Sequence, residues 1–108
     1  MSHVTTHVLD AVSGVPAVGV PVVLLDADGG LLAHSVTNAD GRVAEFGPDE
    51  LPAGRYAIVF DTAAYFAASG TATFYPSVTI EFELTDPASH YHVPLLLSPF
   101  AYSTYRGS

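Results

Sequence analysis

The chain contains no cysteine, no tryptophan and no lysine, and its only permanent cations are three arginines. Without cysteine it can build neither a disulfide framework nor a thiolate metal site or nucleophile, and nothing ties it to an oxidising compartment. Eleven acidic residues against those arginines give a formal net charge of -8. The positive footprint that nucleic acid or an anionic lipid surface requires is therefore missing, and neither is expected as a partner. No apolar run reaches membrane length, so no membrane span is expected. The opening "MSHVTTHVLD" lacks both the basic and the long apolar segment of a signal peptide, which makes the cytoplasm the expected location. A Gly-rich phosphate loop is also absent, and Ser98, followed by Pro99, has none of the setting of a nucleophile elbow.

What is present fits one domain spanning residues 1–108, enough for a single core. Hydrophobic residues make up 49% of the chain and charged ones 13%, an apolar balance for a free monomer, so part of the surface is expected to meet other subunits. Stretches rich in β-branched and aromatic residues alternate with the turn clusters "SGVPA", "DADGG", "NADGR", "LPAG" and "TDPAS". That rhythm predicts an all-β sandwich or barrel. Strands are expected near 3–11, 20–26, 31–37, 42–45, 54–60, 71–75 running into 78–84, 90–97 and 101–106. One short helix is expected over 61–69, with Asp61 or Thr62 as cap and Gly70 as stop.

Side chains two apart on a strand share a face, which sorts the polar residues. In "HYHVPLLL", Tyr91, Val93, Leu95 and Leu97 form one face and His90, His92, Pro94 and Leu96 the other. In "HVTTHVLD", His3, Thr5, His7 and Leu9 oppose Val4, Thr6 and Val8. Each strand thus has a core face and a face carrying histidine. Pro94 cannot donate to a ladder, so a bulge or an unpaired position is expected there.

His7 and His92 are the sharpest candidates for chemistry, because neutral imidazoles suit general base work near neutral pH and two on one sheet face could share a water or a substrate. The plainer reading makes them surface or interface residues, and a zinc site built from His90, His92 and His7 is a further alternative. Arg42 follows the turn "NADG" and starts the next strand from a fixed position. Asp10, Asp26, Asp28 and Asp40 lie beside turns and are expected to serve there.

The stretches "TTHVLDAVSGVPA", "TNADGR" and "HYHVPLLLSPFAYSTYRGS" resemble the 5-hydroxyisourate hydrolases, the enzymatic branch of the transthyretin-like family, over essentially the whole chain. Transthyretin itself shares "VLDAV" and "LLSP" but not the histidines or the closing "YRGS". The resemblance implies a sandwich of two four-stranded sheets with one short helix, assembled as a homotetramer with active sites in a central channel. It implies His7, Arg42 and His92 as catalytic residues, and Tyr105, Arg106, Gly107 and Ser108 as residues that line the substrate site. Ser103 would share the channel face with them. The implied reaction is hydrolysis of 5-hydroxyisourate, the product of urate oxidation, to 2-oxo-4-hydroxy-4-carboxy-5-ureidoimidazoline, with no cofactor and no metal. A transthyretin-type binding module, holding a small aromatic ligand without chemistry, is the alternative.

Overall fold

The computed structural model describes residues 2–108, which form nine strands and one helix. β1 (Val4–Asp10), β2 (Val15–Pro16), β5 (Arg42–Val43), β8 (Tyr91–Ser98) and β9 (Ala101–Thr104) make one sheet, in the order β2-β1-β8-β9 with β5 also on β1. β3 (Pro21–Asp26), β4 (Leu31–Val36), β6 (Gly54–Phe60) and β7 (Val78–Leu84) make the other, ordered β4-β3-β6-β7. Every pairing is antiparallel except β1 with β8, which run parallel. β2 pairs with Leu9 and Asp10 of β1, and β5 with Thr6 and His7. Two short segments thus share one outer position of the first sheet, which keeps the expected plan of four positions per sheet.

The core lies between the sheets and is built by alternation, broken on β8 only by Pro94, which is buried on the outer face. Val4, Thr6 and Val8 of β1 and Tyr91, Val93, Leu95 and Leu97 of β8 point inward and are buried, facing Val22, Leu24, Ile58, Phe60, Val78 and Ile80 of the other sheet. Thr6 is a polar residue on the inner face, and its hydroxyl donates to the Val93 carbonyl at 2.7 Å, which removes the cost of burying it. Among the described residues no buried side-chain polar atom lacks a partner.

The helix α1 (Thr62–Ala68) starts where expected. Asp61 accepts the Ala64 N–H at 3.0 Å, Ser69 closes the far end, and Gly70 follows with φ 65°. Tyr65 on this helix donates to Asp10 at 2.8 Å, which clamps the helix to the end of β1. Burial and the adjacent Asp10 carboxylate push the Tyr65 hydroxyl up to about 12.

Two sequence expectations change. Residues 71–75 form no strand. Their polar groups turn instead to the loop before β9, with the Phe74 N–H and the Thr73 hydroxyl both donating to the Pro99 carbonyl at 2.9 and 2.7 Å. Conversely, Val15–Pro16, read as part of a turn cluster, returns along β1 for two residues. No helix among the described residues is long and apolar enough to cross a membrane.

Candidate active site

The outer face of the first sheet carries what the inner face excludes. On β1 these are Thr5 and His7, and on β8 His92 and Pro94; the parallel register sets Thr5 beside His92 and His7 beside Pro94. On the other side of β1 the register of β5 sets Arg42 directly opposite His7. Residues 7, 42 and 92, far apart in sequence, therefore share one surface.

Arg42 is placed there by a tightly specified turn. The Asn38 side-chain carbonyl accepts the backbone N–H groups of Asp40 at 2.9 Å and of Arg42 at 3.0 Å. Gly41 has φ 73°, and a Cβ on it would lie 2.4 Å from the Val8 carbonyl oxygen, so no other residue fits against β1 at this point. The Gly41 carbonyl then accepts the Val8 N–H at 2.7 Å, riveting the turn to the strand that carries His7. Asp40, expected to organise this turn, yields that role to Asn38. Asp10 and Asp26 do serve their turns as expected, each accepting two backbone N–H groups.

The His7 and His92 rings lie with centroids 6.5 Å apart and planes tilted by 31°, close enough to share one water or one substrate atom. Burial holds both imidazoles below the ordinary value of 6.5, and the Arg42 guanidinium lowers both further. For His7 the Asp40 backbone carbonyl acts in the opposite sense, without reversing the direction. Both rings are thus biased toward the neutral, proton-accepting form at neutral pH.

The closing "YRGS" meets this face at His92. β9 pairs with β8 from Ser98↔Ala101 to Leu95↔Thr104, and the ladder then opens. It resumes in the same register at a single bridge, His92↔Gly107, where the Gly107 N–H donates to the His92 carbonyl at 2.8 Å. The gap falls at Pro94, whose carbonyl faces β9 and takes the Thr104 hydroxyl at 2.7 Å but whose nitrogen has no hydrogen to give. The expected irregularity is an interruption on the β9 side only, since the β1 side runs through Pro94 without a slip.

Register also sorts the tail. Tyr105 comes opposite Pro94, on the histidine face, and Ser103 opposite Leu96 on the same face. Arg106 comes opposite Val93, on the other face, and its guanidinium carbon sits 4.4 Å from the centroid of the Tyr91 ring. A cavity of 270 Å³ lies there, between β7, β8 and the tail, and His92, Tyr105 and Arg106 all border it. His7 and Arg42 do not. Gly107 packs so closely on His92 that a Cβ would come 2.4 Å from the ring carbon Cδ2. The fold thus brings Tyr105, Gly107 and His92 together and sends Arg106 to the opposite side of the strand, over Tyr91.

One histidine departs from the simple alternation. His3 precedes β1 and is buried, accepting the Leu51 N–H on Nδ1 at 3.0 Å and donating from Nε2 to the Ser89 carbonyl at 2.7 Å. It fastens two loops and stands apart from the site. His90 stays on the outer side and reaches the Thr5 hydroxyl, which also meets His92. Thr5 was visible as a neighbour of His7 on one face, but nothing in the spacing singled it out. Among the described residues no three His, Cys, Asp or Glu side chains come together in a way that could hold a metal ion.

Residues 4–107 match the HIUase/Transthyretin family. The chain belongs to that family. It is 46% identical to the 5-hydroxyisourate hydrolase of Mesorhizobium japonicum over 98% of its own length and 92% of the relative's. It is 42% identical to the mouse 5-hydroxyisourate hydrolase, covering 99% of this chain and 96% of that one. The solved structure of the Klebsiella pneumoniae 5-hydroxyisourate hydrolase superposes with a TM-score of 0.89 at 44% identity, over 97% of this chain and 98% of that one. Transthyretin from Sparus aurata superposes equally well, with a TM-score of 0.90, but at 34% identity, over 99% and 97% of the two chains. The likeness of backbone thus spans both branches of the family, and side chains must separate them.

Proposed function

We propose that this protein is a 5-hydroxyisourate hydrolase and that His7, Arg42 and His92 carry its chemistry. One observation supports this above the rest: strand register sets Arg42 opposite His7 and brings His92 alongside, with both imidazoles held toward their neutral form. One histidine takes a proton from water as the oxygen attacks a cyclic amide carbonyl of the substrate. Arg42 stabilises the negative charge that gathers on the carbonyl oxygen. Collapse of that intermediate breaks the ring C–N bond, and the nitrogen receives the proton the imidazole had taken, so acid and base are regenerated in one cycle. The product is 2-oxo-4-hydroxy-4-carboxy-5-ureidoimidazoline.

Tyr105 and Arg106 border the cavity beside His92 and Gly107 packs on its ring, which supports a role for the closing Tyr105–Ser108 in lining the substrate site. Arg106 reaches that cavity from over the Tyr91 ring. The site lies open on a sheet surface, and it becomes enclosed in a homotetramer in which such faces oppose one another across a channel. Exposed aromatic residues support assembly: Phe74 is 69% and Phe100 67% exposed, and Tyr75 stacks edge-on with both Phe74 and Tyr102 at 5.1 Å. A transthyretin-type carrier would use the same backbone, which the Sparus aurata likeness keeps in view, but it would need no pair of neutral-biased histidines facing an arginine.

The test is direct. When 5-hydroxyisourate is generated in situ from urate by a urate oxidase, its ultraviolet absorbance should decay faster with the protein than without it. Decay at the spontaneous rate, with the protein folded, would leave the carrier as the better reading.

A further inference from the structure

The hydroxyl of Thr5 lies 2.8 Å from Nδ1 of His92 and 2.9 Å from Nε2 of His90. A hydroxyl has one hydrogen to give and two lone pairs, so it can donate to at most one of these nitrogens and must accept from the other or from both. Three arrangements of protons among neutral rings satisfy both contacts. In the first, His90 donates from Nε2 to Thr5, Thr5 donates to Nδ1 of His92, and the His92 proton sits on Nε2. In the second, His92 donates from Nδ1 to Thr5, Thr5 donates to Nε2 of His90, and Nε2 of His92 keeps a free lone pair. In the third, both rings donate to Thr5 and its hydroxyl hydrogen turns elsewhere. The second and third place the His92 proton on Nδ1 and leave its other nitrogen able to accept one, whereas the first does not.

We propose that Thr5 is a positioning residue that holds His92 in the second arrangement, and that His90 is the far end of the relay that makes this possible. The proposal rests on the hydrolase reading above and names His92 as the base in it. The second arrangement fits what is asked of His92: the charged or titratable groups acting on it are Arg42, His7 and His90, and a guanidinium nearby disfavours the doubly protonated ring, so the lone pair on Nε2 stays available. Geometry holds the ring in place for the task. Thr5 sits directly across from His92 in the parallel register, and Gly107 closes against the Cδ2 edge. His90 is exposed, so the relay runs from solvent to the half-buried ring through a single side chain.

The test compares Thr5→Val, which keeps the shape and removes the hydroxyl, with Thr5→Ser, which keeps the hydroxyl. Thr5→Val should lower kcat by about tenfold, the size expected for loss of one hydrogen bond to the base, with KM little changed. Thr5→Ser should restore most of it. ¹⁵N chemical shifts of His92 at neutral pH give a readout independent of turnover: the proton should be on Nδ1 in the parent protein and distributed between both nitrogens in Thr5→Val. His90→Phe, which removes the far acceptor, should shift the tautomer in the same direction. A parent protein with the His92 proton on Nε2, or a Thr5→Val variant with unchanged kcat and unchanged ¹⁵N shifts, would overturn the relay. If the parent protein showed no hydrolysis but the ¹⁵N pattern behaved as described, the hydrolase reading would fail while the tautomer selection stood. Circular dichroism on each variant separates these outcomes from misfolding.

Discussion

β1 and β8 each present two faces made of alternating residues, and the two faces obey different rules. Inward, Val4, Thr6, Val8, Tyr91, Val93, Leu95 and Leu97 are held by packing against the second sheet, and the two hydroxyls among them, of Thr6 and Tyr91, are hydrogen-bonded. Outward, Thr5, His7 and His92 are only half-buried, and Arg42 beside them is exposed. Hydrogen bonds and register, rather than close packing, fix their positions. The inner face supplies stability that the outer face does not, and the outer face holds the charge of Arg42, which no core would tolerate unpaired. Rigidity made on one side of a strand is used on the other.

If that division holds, substitutions on the two faces should fail in different ways. The largest effect belongs outside. His7→Asn or His92→Asn should reduce turnover by about 10² to 10⁴ where the residue acts as base, and Arg42→Ala by about 10² to 10³, with melting temperatures close to the parent's. Turnover should also decline on acidification with a midpoint below 6.5, because burial and Arg42 keep both imidazoles unprotonated to lower pH than a free histidine. A midpoint above 6.5 would mean that the charged form is stabilised, the reverse of the assigned environment. Inside, Leu95→Ala should cost about 2–5 kcal/mol in denaturant unfolding while the folded fraction keeps its kcat; a large loss of kcat at intact stability would show that the faces are not independent.

Gly107→Ala tests the seam between them. Its Cβ would need the space of the His92 ring edge, and displacing a reacting group by about an ångström can cost about 10²-fold in rate, so kcat should drop with little change in unfolding. The smallest effect should be that of Arg106→Gln, which removes a cation from the Tyr91 ring at an exposed position, worth about 0.5–1 kcal/mol. It should appear in thermal stability more than in kcat. A catalytic loss as large as that of Arg42→Ala would place Arg106 functionally on the outer face despite its register.

Much of this division was readable from the sequence, because the period of two in "VTTHVLD" and "YHVPLLL" is a local property and the sandwich preserves it. The same holds for the helix, with Asp61 and Gly70 as its punctuation. What escaped depends on contacts distant in sequence. Residues 71–75 carry strand-like side chains but find the Pro99 carbonyl instead of a strand, and Val15–Pro16 pairs only because β1 leaves an edge free beside it. His3 continues the alternation of β1 on paper, yet lies before the strand begins and is drawn inward by Leu51 and Ser89. Arg106 follows from a register that no local pattern encodes. Thr5 gained meaning only when β8 brought two imidazoles to its hydroxyl.

The parallel pairing of β1 with β8 joins Thr5 to His92 across 87 residues of chain. All four strands of the other sheet fall within residues 21–84, inside the loop that this contact closes. Closing a long loop is entropically unfavourable until something inside it has already shortened the path between its ends. The second sheet is that something. It can zip through neighbouring antiparallel strands, whereas the histidine surface exists only after the two flanks of the chain have met. Competence for catalysis is therefore expected late in refolding, after most β-structure has formed; activity returning in step with the earliest circular-dichroism change would contradict that order.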